Sequence, residues 1–522
     1  MTDTELTELA KTKESTKLAE PVAEVTEDVQ VGSEEVSLPL QLENTENGTT
    51  DDTIKAGTSI RKQAAKERQE RQKYEKSEFV AMLDENGVPI PKSERKPKRK
   101  CAVMIGYCGT GYNGLQIQSD PNVKTIERDL YEAMYKAGAI SFENSVDLKK
   151  SGFQRSARTD KGVHAAGNVV SLKLIIEDPE IRHKINQYLP QQIRIWGIQR
   201  TTKGFDCRKM CSSRVYEYLL PTYSLLSPKP KTRLFQLIEE NKSKHPELFM
   251  DDDGEGTKWW KEVVQKIIYS GITQEQLDSL ASIQEEGDPP TSESTIVSET
   301  IKKIKQIENQ ARRSYRISSK RLDHFTKTMQ QYEGTHNFHN FTIGKPYKDT
   351  SSNRFIISTK ISSPFVIDGT EWISIKLHGQ SFMLHQIRKM ISMASLIVRC
   401  DLPPGQIISN CFKPTRINIP KAPALGLLLE NPVFDAYNVK LKDHSYEPID
   451  FSKYEKEMLD FKMKNIYDKI YMSEVKDNTF YGFFGYIDTF RVPEDEANSS
   501  QSTSIFDFLV NYIEDETKTR GG

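Results

Sequence analysis

The chain switches repeatedly between a two-residue and a three-to-four-residue apolar period, and each switch marks an element. Ala102-Val-Met-Ile-Gly106 is a continuous apolar run that predicts a short buried strand, and Gly109-Thr-Gly-Tyr-Asn-Gly114 predicts a turn. Ile126, Leu130, Ala133 and Ala137 then fall at helical spacing behind Thr125, whose hydroxyl suits an N-cap. Val170, Leu172, Leu174 and Ile176 alternate as one face of a strand. Asp178-Pro179 opens a helix that must stop before Pro190, Ile193 and Ile195 start another strand, and Arg214, Tyr216, Tyr218 and Leu220 share one face of the next. Beyond residue 310 the pattern resumes. Leu322, Phe325 and Met329 lie on one helical face, and strands are predicted from Arg354 to Lys360 and Trp372 to Leu377. A helix over about 381–398 carries the stripe Met383, Ile387, Ile391 and Ala394, and Ala424 to Leu429 reads as a central strand.

These elements predict an α+β protein: two α/β halves with mostly antiparallel sheets, residues 101–223 and 311–440, flanking a central cleft. Residues 224–310 differ. Pro228, Pro230, Asp251-Asp252-Asp253 and Glu285-Glu286-Gly-Asp-Pro-Pro290 predict an inserted segment, partly helical, with loops. Residues 441–522 form a helical C-terminal extension, with a stripe at Leu459, Met463, Ile466 and Ile470, an aromatic block from Phe480 to Phe490, and a last amphipathic helix around Ile505, Phe508, Leu509 and Tyr512.

Composition changes the picture at the N-terminus. The 522 residues are 36% hydrophobic, with a mean hydropathy of −0.61, low for a chain packed throughout. Residues 1–54 hold 14 Asp or Glu against 3 Lys, so a net −11 is concentrated there and the rest of the chain, within an overall −1, carries a net +10. Residues 1–60 are therefore expected to be a disordered acidic tail. Residues 61–100 form a basic arm that ends in the cluster Lys92 to Lys100, a pattern of nuclear import signals and of RNA-contacting arms. No run of about 18 apolar residues predicts a membrane span, and the early carboxylates argue against a secretory or mitochondrial presequence. Six cysteines in such a length make no disulfide framework.

The candidate chemistry lies in Arg155-Ser-Ala-Arg-Thr-Asp-Lys-Gly-Val-His-Ala165. Asp160 stands between Arg158 and Lys161, and cations on both sides keep a carboxylate ionised and available as a nucleophile or base. An Asx turn is the structural alternative for the same residue. Arg388 lies beside an apolar helix stripe, three residues after His385, where a guanidinium calls for a carboxylate partner. Cys207 and Cys211 suggest half of a zinc site, but without a second matched pair they read more readily as structural.

Six blocks in order resemble the TruA family of tRNA pseudouridine synthases. Gly106 to Gly114 is similar to the family's opening strand and turn, and Arg158-Thr-Asp-Lys-Gly-Val-His-Ala165 to its catalytic motif. Arg214-Val-Tyr-Glu-Tyr218, Gly334-Thr-His-Asn-Phe-His-Asn-Phe341, Phe382-Met-Leu-His-Gln-Ile-Arg388 and Ala422-Pro-Ala-Leu-Gly-Leu427 match the remaining blocks. The insertion and the C-terminal extension resemble its eukaryotic multisite branch.

The resemblance implies isomerisation of uridine to pseudouridine with no cofactor required. Asp160 would be catalytic, Tyr216 would stack on the target base, and Arg388 would pair with the aspartate. Arg158 would fill the space of the extruded nucleotide, with Lys161, His164, Arg214 and His385 as further substrate-binding residues. The partners implied are tRNA, including precursor tRNA, with small nuclear RNA and mRNA as further substrates. The chain is expected to be a nuclear monomer. An RNA-binding or RNA-folding protein without turnover is the competing class. A glycoside or nucleoside hydrolase fits poorly, because the usual pair of carboxylates is not apparent.

Overall fold

The alternating runs of the sequence become strands of one sheet in the computed structural model, which describes residues 96–146, 148–250, 254–286, 294–441 and 445–489 together with 503, 504 and 509. The acidic tail, most of the basic arm and the helix expected around Ile505, Phe508 and Tyr512 lie outside the described residues, although Leu509 is described and buried. The first half supplies β1 (Arg99–Tyr107), β2 (Gln154–Arg155), β3 (His164–Leu174), β4 (Ile193–Arg200) and β5 (Ser213–Pro221). The second supplies β6 (Gly334–Asn337), β7 (Asn353–Ile361), β8 (Phe365–Ile367), β9 (Thr370–Gly379), β10 (Ile417–Asn418) and β11 (Leu427–Val433), and β12 (Thr503–Ser504) pairs with β10.

The two halves do not keep separate sheets. A single ten-stranded sheet runs β4-β1-β3-β11-β5-β9-β7-β6, with β2 attached to β3 and β8 to β9. The joint is β11, which pairs in parallel with β3 at Leu428↔His164 and Leu429↔Ala165 and antiparallel with β5 at Leu429↔Tyr216. β5 in turn pairs with β9, placing Tyr216 opposite Leu377. A strand of the second half thus lies between two strands of the first; the other contacts of this sheet are antiparallel, whereas the separate β10–β12 pair is parallel. Both faces of the centre are apolar because both are covered, which is why β3 shows almost no exposed position over eleven residues.

Two element boundaries differ from the periodicity. The strand expected from Ala424 begins only at Leu427, because Ala424–Gly426 forms a 3-10 turn that crosses β5 tightly: a Cβ on Gly426 would sit 2.4 Å from the Leu219 carbonyl oxygen. The helix expected from residue 381 begins at Gln386, because His385 takes a left-handed backbone, φ 63°, and turns the chain. The insertion is more helical than its composition suggests, with helices Arg233–Lys244, Glu255–Tyr269, Gln274–Glu286 and Ser294–Ser314, the last of which ends just beyond residue 310.

The C-terminal extension lies on the sheet. Helices Glu455–Phe461 and Asp468–Asp477 are joined by a π-helical turn, Lys462–Tyr467, and followed by Thr479–Thr489. Ile466 and Ile470 are buried, as the stripe requires. Phe461 meets Trp196 of β4 edge-on with ring centroids 5.3 Å apart, Tyr471 meets Trp372 of β9 at 4.9 Å, and Phe480 meets Tyr218 of β5 at 6.2 Å. The extension also carries charge into the interior. Lys462 Nζ lies 2.9 Å from Glu217 of β5 and 2.7 Å from Glu430 of β11, with all three side chains largely or wholly buried.

Candidate active site

The loop between β2 and β3 is held from behind by buried polar contacts and by glycines. Asn168 of β3 donates through Nδ2 to the Tyr107 hydroxyl at 3.1 Å and the Ala157 carbonyl at 3.2 Å, while its Oδ1 accepts from the Ser156 hydroxyl at 2.7 Å. The Tyr107 and Thr159 hydroxyls are 2.8 Å apart. The turn after β1 lies against this loop so closely that side chains are excluded: a Cβ on Gly109 would fall 2.2 Å from the Val163 carbonyl oxygen, and one on Gly114 2.8 Å from that of Thr159. Two glycines of the sequence turn, Gly109 and Gly114, therefore fix the back of the Asp160 loop.

The front of the loop is open. The Asp160 side chain is 32% exposed, and Arg158 and Lys161 beside it are exposed. His385 Nδ1 stands 3.2 Å from Asp160 Oδ2, without the alignment of a hydrogen bond. His385 is the left-handed residue that immediately precedes the helix beginning at Gln386. Burial lowers the His385 pKa; Asp160 opposes that effect, and Lys421, Arg388 and Lys389 add to it, so the imidazole is neutral at neutral pH.

Arg388 is placed differently from the pairing implied by the resemblance. Its Nε donates to the Ala422 carbonyl at 2.5 Å, and Ala422 N–H donates back to the Arg388 carbonyl at 3.2 Å. Arg388 feels the Asp160 charge, but among the described residues the titratable side chain within 4 Å of the Asp160 carboxylate is the His385 imidazole. The guanidinium is engaged with the Ala422-Pro block, and this contact ties that block to the helix.

Tyr216 of β5 is 8% exposed and meets Phe382 edge-on, with centroids 5.2 Å apart. Burial pushes its phenol up to about 12, Arg214 pulls it down, and Asp160 adds to the rise. It is therefore a neutral phenol at neutral pH, suited to stacking and hydrogen bonding. Arg214 donates through Nη2 to the Ser156 carbonyl at 2.6 Å and through Nη1 to the Gln380 carbonyl at 3.0 Å, so it bridges the Asp160 loop and the end of β9.

His164 is not on the open front of the loop. It is fully buried, its Nδ1 accepts from Gly109 N–H at 3.1 Å, and burial lowers its pKa to about 4. It is a neutral pin between the glycine turn and β3. Sequence reasoning also missed Lys389 and Phe382. Lys389 Nζ, buried, donates to the carbonyls of Asn340 and Thr342 at 3.1 Å each, and burial with Lys421 and Arg416 lowers it to about 8. A lysine next to an arginine at a helix start gives no sign of such burial. Phe382 was legible only as a motif letter.

Among the described residues no His, Cys, Asp or Glu joins Cys207 and Cys211 in a cluster of three that could hold a metal ion.

The family described as tRNA pseudouridine synthase matches residues 328–435, a span that includes His385 and Arg388 but not Asp160. The match to whole relatives is wider. The chain is 65% identical over 477 residues to tRNA pseudouridine synthase 1 of Candida albicans, covering 88% of this chain and 77% of that protein. It is 53% identical over 442 residues to tRNA pseudouridine synthase 1 of Saccharomyces cerevisiae, covering 82% and 80%. It is 40% identical over 347 residues to the tRNA pseudouridine(27/28) synthase of the same yeast, covering 66% and 86%. The class is thus an isomerase acting without net addition or loss of atoms. The chain belongs to the tRNA pseudouridine synthase family.

Proposed function

We propose that the protein converts uridines of tRNA, including precursor tRNA, to pseudouridine, with Asp160 starting the reaction. The observation that carries this reading is the partly exposed Asp160 carboxylate, flanked by exposed Arg158 and Lys161 and faced by neutral His385. In the reaction the N1–C1′ bond breaks, the uracil turns, C5 bonds to C1′, the C5 hydrogen leaves as a proton, and the freed N1 takes up a proton, so no atoms are gained or lost overall. Asp160 starts the cleavage either by adding to C1′ or by taking the C2′ proton. Tyr216 supplies the ring on which the turning base stacks, with Phe382 holding it edge-on. A uridine inside a stem is inaccessible at C1′, so it must leave the stack, which costs a few kcal/mol. Exposed Arg158, two residues from Asp160, is suited to fill the gap. No cofactor is required, because no electrons or groups enter.

Purified protein should release tritium from tRNA labelled at uridine C5 in proportion to pseudouridine formed. Binding should weaken steeply between low and physiological salt, as counterion release by a net +10 body demands. Retained salt-sensitive binding without tritium release would favour an RNA-folding protein over an isomerase. Small nuclear RNA and mRNA are proposed as further substrates, since the loop's chemistry addresses one uridine rather than a whole tRNA, and transcripts labelled in the same way test them.

Nuclear location is proposed from the Lys92 to Lys100 cluster. Replacing Lys96, Lys98, Arg99 and Lys100 by Ala should move a tagged protein to the cytoplasm, and unchanged nuclear signal would reduce the cluster to an RNA-contacting arm. A monomer is proposed because the C-terminal helices already cover sheet residues Trp196, Tyr218 and Trp372. Light scattering at low micromolar concentration checks it, and a stable dimer would refute it.

A further inference from the structure

A cavity of about 1120 Å³ lies between the insertion and the C-terminal helix Thr479–Thr489. It arises where two packing units meet. Trp260, Val263 and Ile267 lie on one helix face and pack with Ile304 in a small core of the insertion, separate from the core around the sheet. These four side chains give the cavity one apolar wall.

Another part of the lining is cationic, with Arg312 and Arg399 buried and the Lys229 side chain 39% exposed. Tyr481 and Phe484 are neighbours on one face of Thr479–Thr489, and a guanidinium lies over each ring: Arg312 at 3.1 Å from the Tyr481 centroid and Arg399 at 5.0 Å from that of Phe484. The two arginines are thereby brought to the same wall. Arg399 Nη2 pairs with both Asp488 oxygens at 2.5 and 2.7 Å, and Lys229 Nζ pairs with Glu308 at 2.7 Å, with Arg312 Nη1 3.7 Å from the same carboxylate. Around the whole cavity six cations, Lys229, Lys231, Arg233, Lys305, Arg312 and Arg399, stand against three carboxylates, Asp278, Glu308 and Asp488, with Glu474 acting on Arg312 from outside the lining. Arg312 and Arg399 are 4% exposed and Ser224 is 1% exposed, yet Arg312 Nη1, Arg399 Nε and the Ser224 hydroxyl have no hydrogen-bond partner. Water would satisfy those donors, but it would neither balance the charge nor cover the apolar wall.

We propose that this cavity binds a small amphipathic anion, an apolar body with one carboxylate or phosphate-ester group, whose anion meets Arg312, Arg399 and Ser224 while its body lies on Trp260, Val263, Ile267 and Ile304. The site shares no residue with the Asp160 site, so it stands or falls apart from the isomerase reading.

Calorimetric titration of the full chain with decanoate, decyl phosphate and decanol, below micelle-forming concentrations, tests it. One saturable site per chain is expected for at least one anion, with decanol about tenfold weaker or more because it leaves the charge unbalanced. Binding by decanoate alone assigns a carboxylate, by decyl phosphate alone a phosphate ester, and by both the shared chemistry. Ile304→Trp, which fills the apolar end, should lower anion binding about tenfold or more while tritium release from labelled tRNA continues. Should Ile304→Trp fail to fold, Arg312→Gln decides the matter, and it should erase the preference for anion over decanol. Absence of saturable binding by either anion overturns the proposal. So does undiminished binding in an active Ile304→Trp protein, or an unchanged anion preference in Arg312→Gln.

Discussion

Asp160→Ala and Asp160→Asn should abolish pseudouridine formation, lowering turnover by roughly 10⁴-fold or more, while tRNA binding is kept. The expectation follows from what else surrounds the loop. His385 is neutral and Tyr216 is a phenol held near 12, so neither can replace an ionised carboxylate at neutral pH. Affinity should be unchanged or slightly higher, because the substitution removes a negative charge beside Arg158 and Lys161 and disturbs no phosphate contact. The loop should also keep its shape: its anchors are Asn168, Tyr107 and Thr159, and the Asp160 carboxylate takes no part in them. Single-turnover tritium release beside filter binding measures both quantities. Normal turnover by Asp160→Ala would remove the carboxylate from the chemistry, and a parallel loss of binding would make the residue structural.

Lys462→Met should have the largest effect on stability, a loss of about 3–5 kcal/mol in urea unfolding at neutral pH. Lys462 stands between Glu217 and Glu430, and without it two carboxylates face each other with no cation between them. Burial by itself would raise the Glu217 pKa, but Lys462 and then Lys376 overcome that and hold it well below the usual carboxylate range. The pH dependence follows from that direction. A depressed carboxylate contributes stability above its unfolded value, near 4.5, and loses it as pH falls through the folded value. The difference between wild type and Lys462→Met should therefore be full at pH 7 and shrink below about pH 4. Adding Glu217→Gln should recover part of the loss; a double variant no more stable than the single one would mean that lost packing of the lysine stem, not unpaired charge, is the cause.

Legibility in the sequence followed the physics of each feature. Period alone located β3, β5, β7 and β9 and the stripes at Leu322 and Ile466, because a buried face repeats at the period of its element. Period could not show that β11 enters between β3 and β5, since strand order depends on contacts more than 200 residues apart. The site divided in the same way. Asp160, Arg158 and Lys161 were legible as an exposed charged loop. His164 looked like part of that loop, but it is the first residue of β3 and points into the core, which only the strand boundary reveals. His385, which stands beside Asp160, is a left-handed residue in a stretch whose apolar spacing reads as helix.

The place of β11 also bears on how the chain is made. Strands β3 and β5 are complete once residue 221 has been synthesised, but their shared neighbour is residues 427–433. At about 5–20 residues per second, the ribosome needs roughly 10–40 s to reach it. During that interval the inner edges of β3 and β5 offer unsatisfied backbone groups to any strand nearby. Folding of the Asp160 loop, which leads directly into β3, is thereby tied to a strand translated more than 200 residues later, and a chain released before residue 427 should expose a sticky edge beside that loop.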